Sequence, residues 1–228
     1  MDREVLGKDM ERMANAVHPY GTLLIAQIAH GGPRVHKPQE GLVPVCVSDV
    51  EPENASIRKI RKIAPQHELT TEEIRDLVPM FVNAARNCQV ANWDGVELHS
   101  AHSYLLSSFL SPDLNRRTDE YGGPLENRMR LILDIVRAIR KECGPEFIIG
   151  ARIPCYEYVT NSIPEEEFGL LAKALEEAGC DYLSASYGST TDPRKSMEPE
   201  GSPEGGRLPM HSRIKNAVSI PVFGSGVM

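Results

Sequence analysis

The sequence predicts an α/β fold of parallel strands joined by helical crossovers, arranged as a TIM (β/α)8-type barrel of which about five βα units are evident. From Glu72 onward, segments with helical spacing alternate with short β-branched runs. Polar residues and glycines gather where those runs end, at His99, Arg152, Ser184 to Ser189 and Gly224 to Gly226, and barrel enzymes place their chemistry at such C-terminal ends. A doubly wound sheet is the competing arrangement. It is weakened by the lack of a G-x-G-x-x-G turn after any strand.

Taken in order, "MERMANAVHPYG" reads as a helix ending near Pro19 and Gly21, and "TLLIAQI" as the earliest strand. Residues 31–69 carry Pro and Gly repeatedly without a sustained period; so long a loop in one domain is usually functional, and we read it as a pocket wall. Thr70-x-x-Glu73 is a capping box that opens a helix with Ile74, Leu77, Val78 and Phe81 on one face. The strand "DGVELH" follows. Met129, Ile132, Leu133 and Val136 repeat the helical spacing, and "FIIGARI" is a buried type of strand. Ser162-x-x-Glu165 predicts a second capping box, for a helix with Phe168, Leu171, Ala172 and Leu175 toward the sheet. "DYLSASYG" is the next strand, and "RIKNAVSIPVFGSG" one more helix and strand.

The composition narrows the function classes. A chain of 228 residues, 41% hydrophobic and 25% charged, suits one large globular domain, here residues 1–228. A net charge of -7 argues against general nucleic-acid binding, because only "IRKIRKI" is locally basic and that run reads as a solvated loop. The apolar runs stop short of the roughly 18 residues a membrane helix needs, and no charged-then-apolar leader opens the chain. The five cysteines are scattered, which argues against disulfides, zinc and iron–sulfur ligation and favours a reducing cytoplasm.

Chemistry concentrates in "HSAHSYLLSSFLSP", residues 99–112, where His99, His102 and Tyr104 follow a strand. These histidines could be satisfied polar residues at a strand end. They could also be metal ligands, but no third ligand accompanies them and H-E-x-x-H is absent. In a third reading they are paired donors to a substrate carbonyl, where negative charge grows as hydride adds to a conjugated double bond. Tyr104 then supplies a proton, which a phenol keeps at neutral pH.

Residues 94–140, with "DGVELHSAHSYLLSSFLSPDLNRRTDEYGG" and "ENR", closely resemble the signature segment of the old yellow enzyme family of FMN-dependent oxidoreductases. "AQIAHGG", "GARI" and "IPVFGSG" resemble three further family strands, so the likeness covers most of the chain. The resemblance implies that His99 and His102 bind the carbonyl and that Tyr104 donates the proton. It assigns Gln27 to the isoalloxazine, Arg152 to the flavin N1 and C2 oxygen, and Gly224, Ser225 and Gly226 to the flavin phosphate. Without it, Gln27 could close a strand, Arg152 could pair with Glu97, and the glycines could serve an ordinary turn. The implied reaction is reduction of the activated C=C bond of a small unsaturated carbonyl compound, with NAD(P)H as hydride source and FMN as carrier. No metal, nucleic acid or membrane enters it. The "NRRTDEYGGPLENR" charges are read as holding a loop and capping the next helix, and Tyr187 is given no role.

Three details depart from the family pattern. Ser103 and Asn92 stand where Gly is common, and "HGGPR" carries an extra residue. If the turn before Tyr104 needs positive φ, Ser103 is costlier there than Gly. The first two strands and the last are not evident, so the barrel is expected to be partial. Its open edges would invite a second copy, making a homo-oligomer a candidate assembly. The rival reading is a truncated or degenerate barrel serving as a non-catalytic interaction module. A metal- or Schiff-base-dependent lyase is a third, without a lysine at a convincing strand end. Larger relatives add an iron–sulfur cluster and a second flavin domain, whose cysteines would lie beyond Met228.

Overall fold

Thr70 begins the longest helix in the way its sequence predicts. Its side chain accepts from the Glu73 N–H at 3.2 Å, and the Glu73 carboxylate accepts from the Thr70 N–H at 2.8 Å. The structure is a computed structural model and describes residues 3–35, 38, 40–49, 51, 59, 65–157, 161–188 and 201–225. Within these, α1 (Arg3–Val17) runs into a 3-10 turn at His18–Tyr20 closed by Gly21 at φ 72°, and β1 is Ile25–Ile28. A short parallel pair, β2 (Val45–Cys46) and β3 (His67–Glu68), forms a separate sheet. Then come α2 (Thr71–Val90), β4 (Gly95–His99), α3 (Leu105–Leu110), α4 (Leu125–Arg128), α5 (Arg130–Cys143) and β5 (Ile148–Tyr156). The described chain ends with α6 (Glu165–Ala178), β6 (Tyr182–Tyr187), α7 (Leu208–Lys215) and β7 (Val222–Gly224).

Five strands form one wholly parallel sheet in the order β1-β4-β5-β6-β7. Each strand pairs with the next through an intervening crossover, the βα pattern expected of a partial barrel. Register then sorts side chains onto two faces. Val96, Leu98, Ile149, Ala151, Ile153, Leu183 and Ala185 are buried with Ile74, Leu77 and Phe81 of α2, Ile132, Ile135, Val136 and Ile139 of α5, and Phe168, Leu171 and Leu175 of α6. Burying each such side chain contributes roughly 1.5–3 kcal/mol, so this layer sets the sheet's position.

The opposite face is polar. One register row runs Gln27, Glu97, Gly150, Tyr182; the row two residues further along runs His99, Arg152, Ser184, Phe223. Gly150 is required in the first row, because a Cβ there would lie 2.1 Å from Tyr182 Cζ. Tyr182 thus lies over the β5 backbone and hydrogen-bonds Glu97.

One expected cap is corrected. Helix α6 has Pro164, not Ser162, at its N-cap, with no side-chain cap bond, and the Ser162 hydroxyl donates instead to the Ile163 carbonyl at 3.1 Å. Pro164 disfavours helical backbone at Ile163, so Ile163 cannot serve as the first helical residue and Ser162 cannot be its N-cap. The "NRRTDEYGGPLENR" charges do hold a loop. Arg117 grips Asp119 and donates to the Val47 and Leu69 carbonyls, while Asn115 spans the Phe109 and Tyr121 carbonyls.

Candidate active site

The loop from β4 into α3 makes two consecutive left-handed residues, His102 at φ 58° and Ser103 at φ 60°. That turn reverses the chain over the strand ends and leaves Tyr104 as the α3 N-cap. The Leu105 N–H donates to the His30 carbonyl at 3.0 Å, which ties the turn to the loop after β1. From the same β1 loop, the Arg34 guanidinium lies 5.2 Å from the centre of the Tyr104 ring and donates to the His102 carbonyl at 3.4 Å. The segment read as a pocket wall therefore borders Tyr104.

Three rings gather here. His99 lies 4.8 Å from Tyr104 and 5.7 Å from His102, centre to centre. Burial first, then the charges of Arg152 and Arg34, push both imidazoles down to about 4, His102 adding its own effect on His99. Both rings are neutral at physiological pH, each with one N–H to donate. His102 Nε2 is 2.7 Å from the Ser186 hydroxyl, which also accepts from Arg152 Nη2 at 3.0 Å.

Among the described residues Arg152 Nη2 goes to Ser186 and not to Glu97, which accepts from Gln27 Nε2 at 2.6 Å. Two buried polar atoms in the His99–Arg152 row, His99 Nδ1 and Arg152 Nε, have no hydrogen-bond partner. An unmet buried group costs about 1–3 kcal/mol, so this row suits a ligand that brings its own oxygen and nitrogen acceptors. The pyrimidine edge of a flavin has such acceptors, and the residues fit it. At the far edge of the sheet, Gly224 ends β7 beneath His211, whose Nδ1 would be 2.5 Å from any added Cβ, and the Ser225 hydroxyl donates to the Ala185 carbonyl at 3.3 Å. Gly226 lies outside the described residues.

The structure thus brings His99, His102, Tyr104 and Arg152 together, sets Gln27 on the same face, and puts Gly224 and Ser225 at the opposite edge. Sequence reasoning missed Arg34 and Tyr182, and named Ser186 only within the polar strand end Ser184 to Ser189, without a role. Strand alternation through Tyr182, Ser184 and Ser186 held a signal for two of them, since these positions share a face.

A parallel βα sheet with a polar face at its strand ends is the arrangement of a partial (β/α) barrel, and the unmet row fits a flavin. The chain belongs to the NADH:flavin oxidoreductase / NADH oxidase family, whose family model matches residues 7–227; this is the family of the old yellow enzymes. FMN and NAD(P)H are the cofactors of that class. The chain is 39% identical to an NADH oxidase of Thermoanaerobacter brockii over 95% of its own length and 32% of the relative's. It is 34% identical to a cinnamate reductase of Clostridium sporogenes over 95% of its length and 34% of that protein's. Among solved structures, a complex of 2-naphthoyl-CoA reductase with 2-naphthoyl-CoA superimposes with a TM-score of 0.81 at 28% identity, covering 94% of this chain and 34% of that one. The chain spans about a third of the length of each of these proteins.

Proposed function

We propose that the chain is the substrate-reducing barrel of an FMN-dependent oxidoreductase that uses NAD(P)H to reduce the activated C=C bond of an α,β-unsaturated carbonyl compound. The observation that carries this is the gathering of His99, His102 and Tyr104 beside Arg152, whose Nε and neighbouring His99 Nδ1 are unmet. The name cinnamate reductase describes a relative that acts on a conjugated carboxylic acid, and supports the substrate class.

FMN, held by Gln27, Arg152 and the Gly224–Ser225 turn, would supply hydride drawn from the nicotinamide nucleotide. The chain's own residues do the rest. Neutral His99 and His102 each give one N–H to the carbonyl oxygen, where negative charge grows as the β-carbon is reduced. Tyr104, its ring covered by the Arg34 guanidinium, delivers the phenolic proton to the α-carbon. Arg152 would set a fixed positive charge beside the flavin it holds, where it would stabilise negative charge. The buried cysteines, which form no disulfide among the described residues, support a reducing compartment such as the cytoplasm.

Tyr104→Phe separates these roles. Anaerobic reduction of the bound flavin by NAD(P)H should keep its rate, while reoxidation by an enone should slow by about 10²–10⁴-fold, the usual size of general acid catalysis. Equal losses in both half-reactions would remove Tyr104 from its role. A second reading, a non-catalytic module, draws on apolar residues exposed at both sheet edges, Leu23 at 62% and Phe223 at 60%, which a second copy could cover. Flavin content decides between the two.

A further inference from the structure

Ser186 sits on β6, 2% exposed, between a guanidinium and an imidazole. Arg152 Nη2 lies 3.0 Å from its oxygen and His102 Nε2 lies 2.7 Å from it. A guanidinium only donates, so the Ser186 oxygen accepts from Arg152. The direction of the second bond follows from the serine proton. If His102 Nε2 carried hydrogen, Ser186 would accept twice and its own O–H would be buried with no acceptor, at a cost of about 1–3 kcal/mol. No other acceptor of that hydroxyl exists among the described residues, so the proton points at Nε2, and the Arg152 bond polarises it in that direction.

We propose that Ser186 is a positioning residue that fixes the tautomer of His102: its hydroxyl, held by Arg152, donates to Nε2 and leaves Nδ1–H as the ring's one donor. A neutral imidazole free to choose would divide its proton between both nitrogens, and on Nε2 the proton would face the serine instead of a ligand. Fixing it at Nδ1 makes the ring a dedicated donor, to the nearby Gly188 backbone carbonyl when no substrate is bound and to a carbonyl oxygen when one is. It also links the residue assigned to flavin with a residue assigned to substrate through one shared oxygen. The link to substrate rests on the reading of His102 given above; the tautomer itself does not.

The test is 15N NMR of the imidazole nitrogens in the 228-residue chain labelled with 15N-histidine, at pH 8, with His102→Gln used to assign the His102 pair. Wild type should show a protonated Nδ1 and a bare Nε2, Ser186→Ala a shift of the proton toward Nε2, and Ser186→Thr, which keeps the hydroxyl, the wild-type pattern. A wild-type ring protonated at Nε2, or an Ala variant that stays at Nδ1, overturns the proposal. In the FMN-loaded chain, Ser186→Ala should also weaken 2-cyclohexenone binding by about tenfold, corresponding to roughly one lost hydrogen bond. Unchanged enone affinity alongside a shifted tautomer would overturn the link to substrate. A wild type with the Nδ1 tautomer that binds no enone would uphold the role of Ser186 and sink the functional reading alone.

Discussion

Gly32 and Leu105 touch backbone to backbone: a Cβ built on Gly32 would lie 2.8 Å from Leu105 Cα, and Gly32 itself adopts φ 52°. This contact locks the loop after β1 against the turn that aims Tyr104. Gly32→Ala meets both a clash and a left-handed backbone, and should destabilise the chain by about 2–3 kcal/mol. Thermal unfolding checks the stability, and reoxidation by enone should suffer even where the chain still folds. A variant as stable and active as wild type would show that the contact does not hold the site.

Ser103 occupies a φ of 60°, so the position where the family commonly has Gly is indeed a left-handed one. Asn92, the other departure, has φ 61°, a conformation Asn tolerates better than most residues. Ser103→Gly should change stability by less than about 1 kcal/mol, as relief of the backbone offsets lost side-chain contacts. Ser103→Val adds β-branching to a buried left-handed residue and should cost about 2 kcal/mol or more. Urea unfolding of the two variants tests the contrast, and similar midpoints would contradict it.

Gly150→Ala would drive a methyl group into the Tyr182 ring, which must then leave Glu97. The expected loss is about 1–3 kcal/mol, the range for overpacking. Because Glu97 also holds Gln27, flavin affinity should fall with stability. Isothermal titration with FMN would show this, and an unaltered affinity would detach Gln27 from the flavin.

Stability should depend on pH through opposing groups. His99 and His102 are pushed down to about 4 from an ordinary value near 6.5, so the unfolded chain binds two protons there before the folded one does. Their contribution is present above about 6.5 and is lost as pH falls toward 4. Glu157 runs the other way. It is buried, its Oε2 has no hydrogen-bond partner, and burial pushes its carboxyl up to about 7, Asp113 adding to this. Its contribution is present below about 4.5 and is lost as pH rises through 7. Between pH 4.5 and 6.5 His99 and His102 outweigh Glu157, and His30, whose burial also lowers its pKa, adds to them, so stability should still fall with acid. Glu157→Gln should steepen that acid-side fall and stabilise the chain at pH 8. An acid limb no steeper in that variant would remove Glu157 from the balance.

The sheet was legible because its strands are apolar on one face and flanked by strongly periodic helices, as at Ile74 and Ile132. Helix α3 was not. Its "LLSSFL" is only six residues long and buried on every side, so it carries no amphipathic period. The cap at Ser162 failed because a capping box describes spacing and ignores the proline inside it. Pairing of β2 with β3 joins residues 45–46 to 67–68, a contact set by packing that no local pattern announces. At the site, residue types marked His99, His102 and Tyr104, and the family resemblance marked Arg152, whereas Ser186 matters through two partners that lie far away in sequence.

The visible absorption spectrum of the purified chain, titrated with FMN and then given NAD(P)H without oxygen, shows whether the polar face around Arg152 holds FMN. A perturbed, protein-bound flavin spectrum that bleaches on addition of nicotinamide nucleotide is expected, with loss of that binding in Arg152→Gln. A chain that leaves the spectrum of free FMN unchanged would contradict this, placing the family's residues on a sheet that does not make the site.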